Sequence, residues 1–186
     1  AGSSLTTHNS DVLIGYQAGK ALSTGDDGVI AIGYQAGLAL TTCSSSVFIG
    51  KNAGDGHDTE DHNMGIGRNS LTGSIAGGEY NVGLGNYTLA ALTSADSNVA
   101  IGYEAGTAIT TGSSNVIIGA DAAEAMTEGH SSVIVGQNAG ASLTTGNSVV
   151  FVGQAAGDGH DTETNNVGVG RAALGGAIAG GENNVA

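Results

Sequence analysis

The sequence predicts an all-β chain, a parallel β-solenoid or β-roll of ten repeats of 17–18 residues. Three observations predict it. An aliphatic–any–aliphatic–Gly motif recurs at a nearly fixed interval through all 186 residues. The chain carries 34 Gly and no Pro, without the every-third spacing of a collagen helix. Hydrophobic residues make up 40% but aromatics only 4%, with no Trp, so a core must be built from Val, Ile, Leu and Ala.

The motif spans 12–15, 30–33, 47–50, 64–67, 82–85, 99–102, 116–119, 133–136, 150–153 and 167–170. Its glycines are 17 or 18 residues apart throughout, which leaves no domain boundary and makes residues 1–186 one continuous array. A longer period is superimposed. Gly33, Gly50 and Gly67 recur 103 residues later at Gly136, Gly153 and Gly170, and Gly54-Asp55-Gly56-His57-Asp58-Thr59-Glu60 recurs from Gly157 to Glu163. Six short repeats were duplicated as a block. Asn184-Val185-Ala186 opens a further motif, as expected of a segment of a longer fibre.

Each repeat is too short for a helix pair and too rich in Gly and β-branched residues for a helix. It reads as a short strand, a Gly-permitted turn, an Ala/Leu segment such as Ala18-Gly19-Lys20-Ala21-Leu22, and a polar turn. Stacking successive coils pairs each backbone with the coils above and below. Asn precedes the strand at Asn63, Asn81, Asn98, Asn115, Asn166 and Asn184, with Ser at Ser46 and Ser132. A short amide there is expected to bond turn backbone and stack on its copies.

Alternate strand residues face opposite ways. The two flanking aliphatics of a motif therefore share one face and the middle residue takes the other. None of the middle residues is polar, so both faces read as buried. The expectation is that Phe48, Ile117, Ile134 and Phe151 form an apolar row covered by another copy of the chain, and that Gly65, Gly83 and Gly168 mark close approach between copies. Homo-oligomerisation follows from the pattern; the number of chains does not.

The elements Ile14-Gly15-Tyr16-Gln17-Ala18-Gly19, Ile32-Gly33-Tyr34-Gln35-Ala36-Gly37 and Asn98-Val99-Ala100-Ile101-Gly102-Tyr103-Glu104-Ala105-Gly106 resemble the repeats of bacteriophage tail-fibre proteins and related bacterial surface proteins. Many of those end in an endosialidase-type chaperone domain. The Asn-Val-Ala-Ile-Gly element also resembles the head repeats of trimeric autotransporter adhesins. The resemblance covers essentially the whole chain. It implies an elongated homotrimer, a structural fibre shaft on a virion or outside a cell, projecting a receptor-binding end. The alternative it implies is an adhesin-like module that binds a cell-surface glycan or protein along the rod.

Charge excludes other partners. The net charge is -13, with basic residues only at Lys20, Lys51, Arg68 and Arg171, which argues against nucleic acid. No apolar run is long enough for membrane insertion. No P-loop, dinucleotide motif or triad spacing is present, so no enzyme is expected. The anomaly is the Asp-Gly-His-Asp-Thr-Glu turn. Seven residues after the motif glycine most repeats place an aliphatic such as Leu22 or Leu143, and these two place His57 and His160. With Asp55, Asp58 and Glu60 beside His57, and Asp158, Asp161 and Glu163 beside His160, the turns are candidate sites for calcium or a transition metal, held in the loop or on an axis between chains. The competing reading is a hydrated structural loop. Tyr16, Tyr34 and Tyr103 follow motif glycines, where they can stack on a sugar or pack over a neighbour. Arg68 with Glu79, and Arg171 with Glu182, are expected to pair between coils.

Overall fold

The computed structural model describes residues 1–4, 10–23, 28–74, 77–176 and 181–186. Every predicted motif forms a three-residue strand: β1 (Val12–Ile14), β2 (Ile30–Ile32), β3 (Val47–Ile49), β4 (Met64–Ile66), β5 (Val82–Leu84), β6 (Val99–Ile101), β7 (Val116–Ile118), β8 (Val133–Val135), β9 (Val150–Val152) and β10 (Val167–Val169). They make one parallel sheet in chain order, so each repeat is one coil stacked on the last, numbered here by its strand. Equivalent residues sit directly over one another, as where Val99, Ala100 and Ile101 pair with Val116, Ile117 and Ile118. A parallel bridge from Val167 to Val185 continues the stack past β10. At about 4.8 Å per coil, ten coils make a rod about 48 Å long.

The motif glycine is required by how closely the coils stack. Gly102 has φ 137°, and a β-carbon on it would overlap the carbonyl of Gly119 in the next coil. The same collision recurs at Gly33, Gly50, Gly67, Gly85, Gly119, Gly136 and Gly153. A side chain at any of these sites would wedge two coils apart and strain the backbone.

The interior reverses one expectation. Phe48, Ile117, Ile134 and Phe151 are fully buried inside their own coils, and the flanking aliphatics face outward. The row expected to await another chain is the core. Leu22, Leu40, Leu92, Ile109, Met126 and Leu143 also point inward as expected and are fully buried. Gly65, Gly83 and Gly168 are likewise inward. The space at Gly65 and Gly168 is taken by Leu71 and Leu174 of the same coils, and that at Gly83 by Ser70 and Thr88, so they do not mark contact between copies. Burying each large aliphatic here contributes roughly 1.5–3 kcal/mol.

Beside the apolar core runs an amide ladder. Asn63, Asn81, Asn98, Asn115 and Asn166 are buried. The Asn98 Oδ1 accepts from the backbone N–H of Asn115 (3.1 Å) and from its Nδ2 (3.0 Å), while Asn98 Nδ2 donates to the Asn81 Oδ1 (3.1 Å) and the Gly112 carbonyl (2.9 Å). Each amide thus satisfies both the coil beside it and its own turn, as buried polar groups must. Ser46 and Ser132 substitute, their hydroxyls accepting from Asn63 N–H (3.1 Å) and Val149 N–H (3.3 Å).

Candidate functional site

The outward sheet face is the candidate site. Its two columns are the twenty flanking residues of the ten strands, all Val, Ile, Leu or Met, and each remains at least partly exposed. Val116, Ile118 and Val133 lie in the middle of this strip with 36–38% of their surface open. A solenoid face turned to water ordinarily carries polar side chains, whereas this one is a continuous apolar strip along the rod.

The strip has chemically different edges. The edge after the motif glycine carries exposed Lys51, Arg68 and Arg171, three of the four basic residues. The edge before the strand, two residues ahead of the ladder Asn, carries Asp61, Glu79, Asp96 and Glu182. Two of these cap the neighbouring coil: Asp61 Oδ1 accepts from Ser44 N–H (2.6 Å) and Asp96 Oδ1 from Glu79 N–H (2.8 Å). Each strand lies between the two edges. For that reason Arg68 does not reach Glu79, nor Arg171 Glu182, and the expected intrachain pairs do not form. Arg68 instead lies over the Tyr87 ring at 5.6 Å.

The His57 and His160 turns point inward, as their position predicts. Both rings are fully buried, packed against Phe48 (centroids 4.9 Å) and Phe151 (5.3 Å), and neither ring nitrogen of either histidine has a hydrogen-bond partner. Burial pushes His57 down to about 4, against the opposing pull of the Glu60 charge. The carboxylates are turned to the backbone. Glu60 accepts from the N–H groups of Asp58 (3.0 Å), Thr59 (3.2 Å) and Gly77 (3.1 Å), and Glu163 from those of Asp161 (3.0 Å) and Thr162 (3.2 Å). Asp58 accepts from the Thr41 hydroxyl, and Asp161 Oδ1 from Thr162 N–H (2.8 Å). Asp55 and Asp158 are half-buried, and desolvation holds the Asp55 carboxyl above its usual range. Among the described residues no three His, Cys, Asp or Glu side chains converge within the chain to hold an ion. Enclosure in its own coil also takes the His57 ring out of reach of another copy, which removes the geometry of one His per chain around an axis.

The exposed tyrosines pack on one another. Tyr16 and Tyr34 stack with centroids 5.3 Å apart and 18° between planes, Lys51 caps Tyr34 at 5.7 Å, and Tyr103 meets Tyr87 edge-on at 6.1 Å. His62 and Tyr80 stack similarly at 4.8 Å on the edge before the strand. Cys43 is buried, and desolvation pushes its thiol up to about 12, so it is an unreactive space-filler.

Reading the sequence by strand alternation alone missed which face is outside. The signal was the Asn: a buried amide immediately before the strand puts the first and third strand residues outward and the middle one inward. No helix among the described residues is long and apolar enough to cross a membrane. No family model, curated protein or solved structure matches this chain.

Proposed function

We propose that this chain is a non-enzymatic structural segment: the shaft of an extracellular or virion fibre, of the tail-fibre kind its repeats resemble, built from three copies and projecting a receptor-binding end. The single observation that carries self-association is the uncovered strip of twenty aliphatic side chains. Its repeat matches the coil spacing along the whole rod, so the surface that complements it at every coil is one with the same period, which another copy of the chain supplies. Repetition provides length, and closing the strip provides stiffness. Assignment to a trimer and to a fibre rests on the sequence resemblance.

Light scattering on the purified segment, with and without EDTA, tests the reading. A mass of three chains that survives chelation is expected. A monomer at micromolar concentration overturns it, and a trimer that collapses on chelation returns the His57 and His160 turns to the centre of assembly.

A further inference from the structure

Tyr16 and Tyr34 stand in equivalent places on neighbouring coils, each directly after its motif glycine. We propose that this pair is a modification site: peroxide, activated by a haem peroxidase acting as a one-electron oxidant, couples the two rings into dityrosine, a covalent staple between coils 1 and 2 of the same chain.

The backbone holds the pair in place before any chemistry. The Gly33 N–H donates to the Ile14 carbonyl (2.7 Å) on one side of the tyrosines, and the Gln35 N–H to the Tyr16 carbonyl (2.8 Å) on the other. Gln35 Nε2 also donates to Gln17 Oε1 (2.8 Å). Both residues are thus clamped one coil spacing apart, and joining their rings is an intramolecular step between positioned groups.

Ring orientation selects this pair over the other tyrosines. The two rings lie 5.3 Å apart with 18° between planes, and Tyr16 is 62% and Tyr34 47% exposed. In a phenoxyl radical the unpaired electron occupies π orbitals perpendicular to the ring, with density on the ortho carbons, so stacked rings aim these orbitals at one another. Tyr87 and Tyr103 meet edge-on at 79°, which aims them apart, and Arg68 lies over the Tyr87 ring. Tyr80 stacks on His62 and not on a tyrosine.

Composition leaves the phenols as the groups that yield an electron. The chain has five Tyr and no Trp. Its one thiol, Cys43, is buried and kept protonated by desolvation. Exposed Met64 is oxidised by gaining an oxygen atom, a different product.

The step balances. Each hydroxyl gives up one electron and one proton, and peroxide takes up two of each and leaves as two water molecules. The radicals pair to form one bond between an ortho carbon of Tyr16 and an ortho carbon of Tyr34. The hydrogen on each joined carbon then moves to its own phenol oxygen, which restores both hydroxyls and leaves the chain lighter by two hydrogen atoms.

Treating the purified chain with a haem peroxidase and limiting peroxide tests the site. Cleavage after Lys20 and Lys51 puts the tyrosines on separate peptides, 1–20 and 21–51, which the staple should hold together. Dityrosine fluorescence and that joined pair, identified by mass, are the expected result. A mixture of isotopically heavy and light chains separates a staple within one chain, which gives no heavy–light pairs, from links between chains, which do. Tyr34→Phe is expected to lower the dityrosine yield tenfold or more, and Tyr103→Phe to leave it within about twofold, with circular dichroism checking that both keep the strand signal. Links that map mainly to other tyrosines, heavy–light pairs at the Tyr16–Tyr34 junction, or a wild-type chain that forms no dityrosine overturn the proposal, whatever the oligomeric state.

Discussion

The ring of Phe48 occupies the space that a β-carbon on Gly54 would need, and one coil later the exchange is reversed, with Gly65 on the strand and Leu71 in the place of Gly54. The same reciprocity joins Phe151 to Gly157 and Gly168 to Leu174. Each coil fills a fixed cross-section from either side.

Gly54→Ala is therefore expected to destabilise the fold by about 2 kcal/mol or more, through overlap with the Phe48 ring and strain at φ 60°. Phe48→Gly/Gly54→Leu copies the arrangement of coil 4, where Leu71 is accommodated at φ 53°. It should recover part of the loss of either single variant. Urea denaturation of the four chains closes the cycle, and strict additivity would show that the two positions do not share one volume.

Acid should loosen the His57 coil. The folded protein holds this imidazole neutral down to about pH 4, whereas its ordinary value is 6.5. Above 6.5 both states are neutral and nothing changes. Between 6.5 and 4 the unfolded chain takes up a proton that the folded chain refuses, so stability falls with pH by roughly 3 kcal/mol in total. His57→Leu, which copies Leu22 and Leu40 at the same place in their coils, removes that slope. Thermal melts from pH 7 to 4 on both chains measure it, and parallel curves would exclude His57 as the source.

Breaking the amide ladder should cost more than one hydrogen bond. Asn98→Ala strips the acceptor from Asn115 N–H and the donor from the Gly112 carbonyl, both buried, and is expected to destabilise by about 2–4 kcal/mol. Asn98→Ser, the residue used at Ser46 and Ser132, should cost less. Amide hydrogen exchange gives the local signature, with protection at Asn115 lost in the alanine variant and partly kept in the serine one.

On the outward strip the expectation is opposite. Val116→Lys/Val133→Lys changes side chains that are 36% and 38% exposed, so the coil should keep its melting temperature within a few degrees. Association should fall tenfold or more. Light scattering together with a thermal melt separates the two effects, and loss of folded signal at every concentration would mean that the strip is needed within the single chain.

The coil count, the strand positions and the inward Leu22, Leu92 and Leu143 were all legible, because a fixed period places equivalent residues over one another and only one stacking order satisfies the backbone. The inward direction of Phe48 and Ile117 was not, because a strand apolar on both faces gives alternation nothing to discriminate. The buried Asn98 was the discriminating residue, and its role depends on a carbonyl fourteen positions away and an amide in the next coil. The His57 turn shows the other limit. Its carboxylates looked like ligands by composition, and only the path of the backbone turns Glu60 towards three N–H groups.

Because each coil completes its own volume, through Phe48 with Gly54 or Gly65 with Leu71, the rod's length behaves as a count. Whole coils can be added or removed by recombination without altering the cross-section, each changing the reach by about 4.8 Å. The 103-residue duplication is such a step of six. A lineage carrying this chain holds an adjustable ruler, whose graduations are set by how many coils the gene spells out.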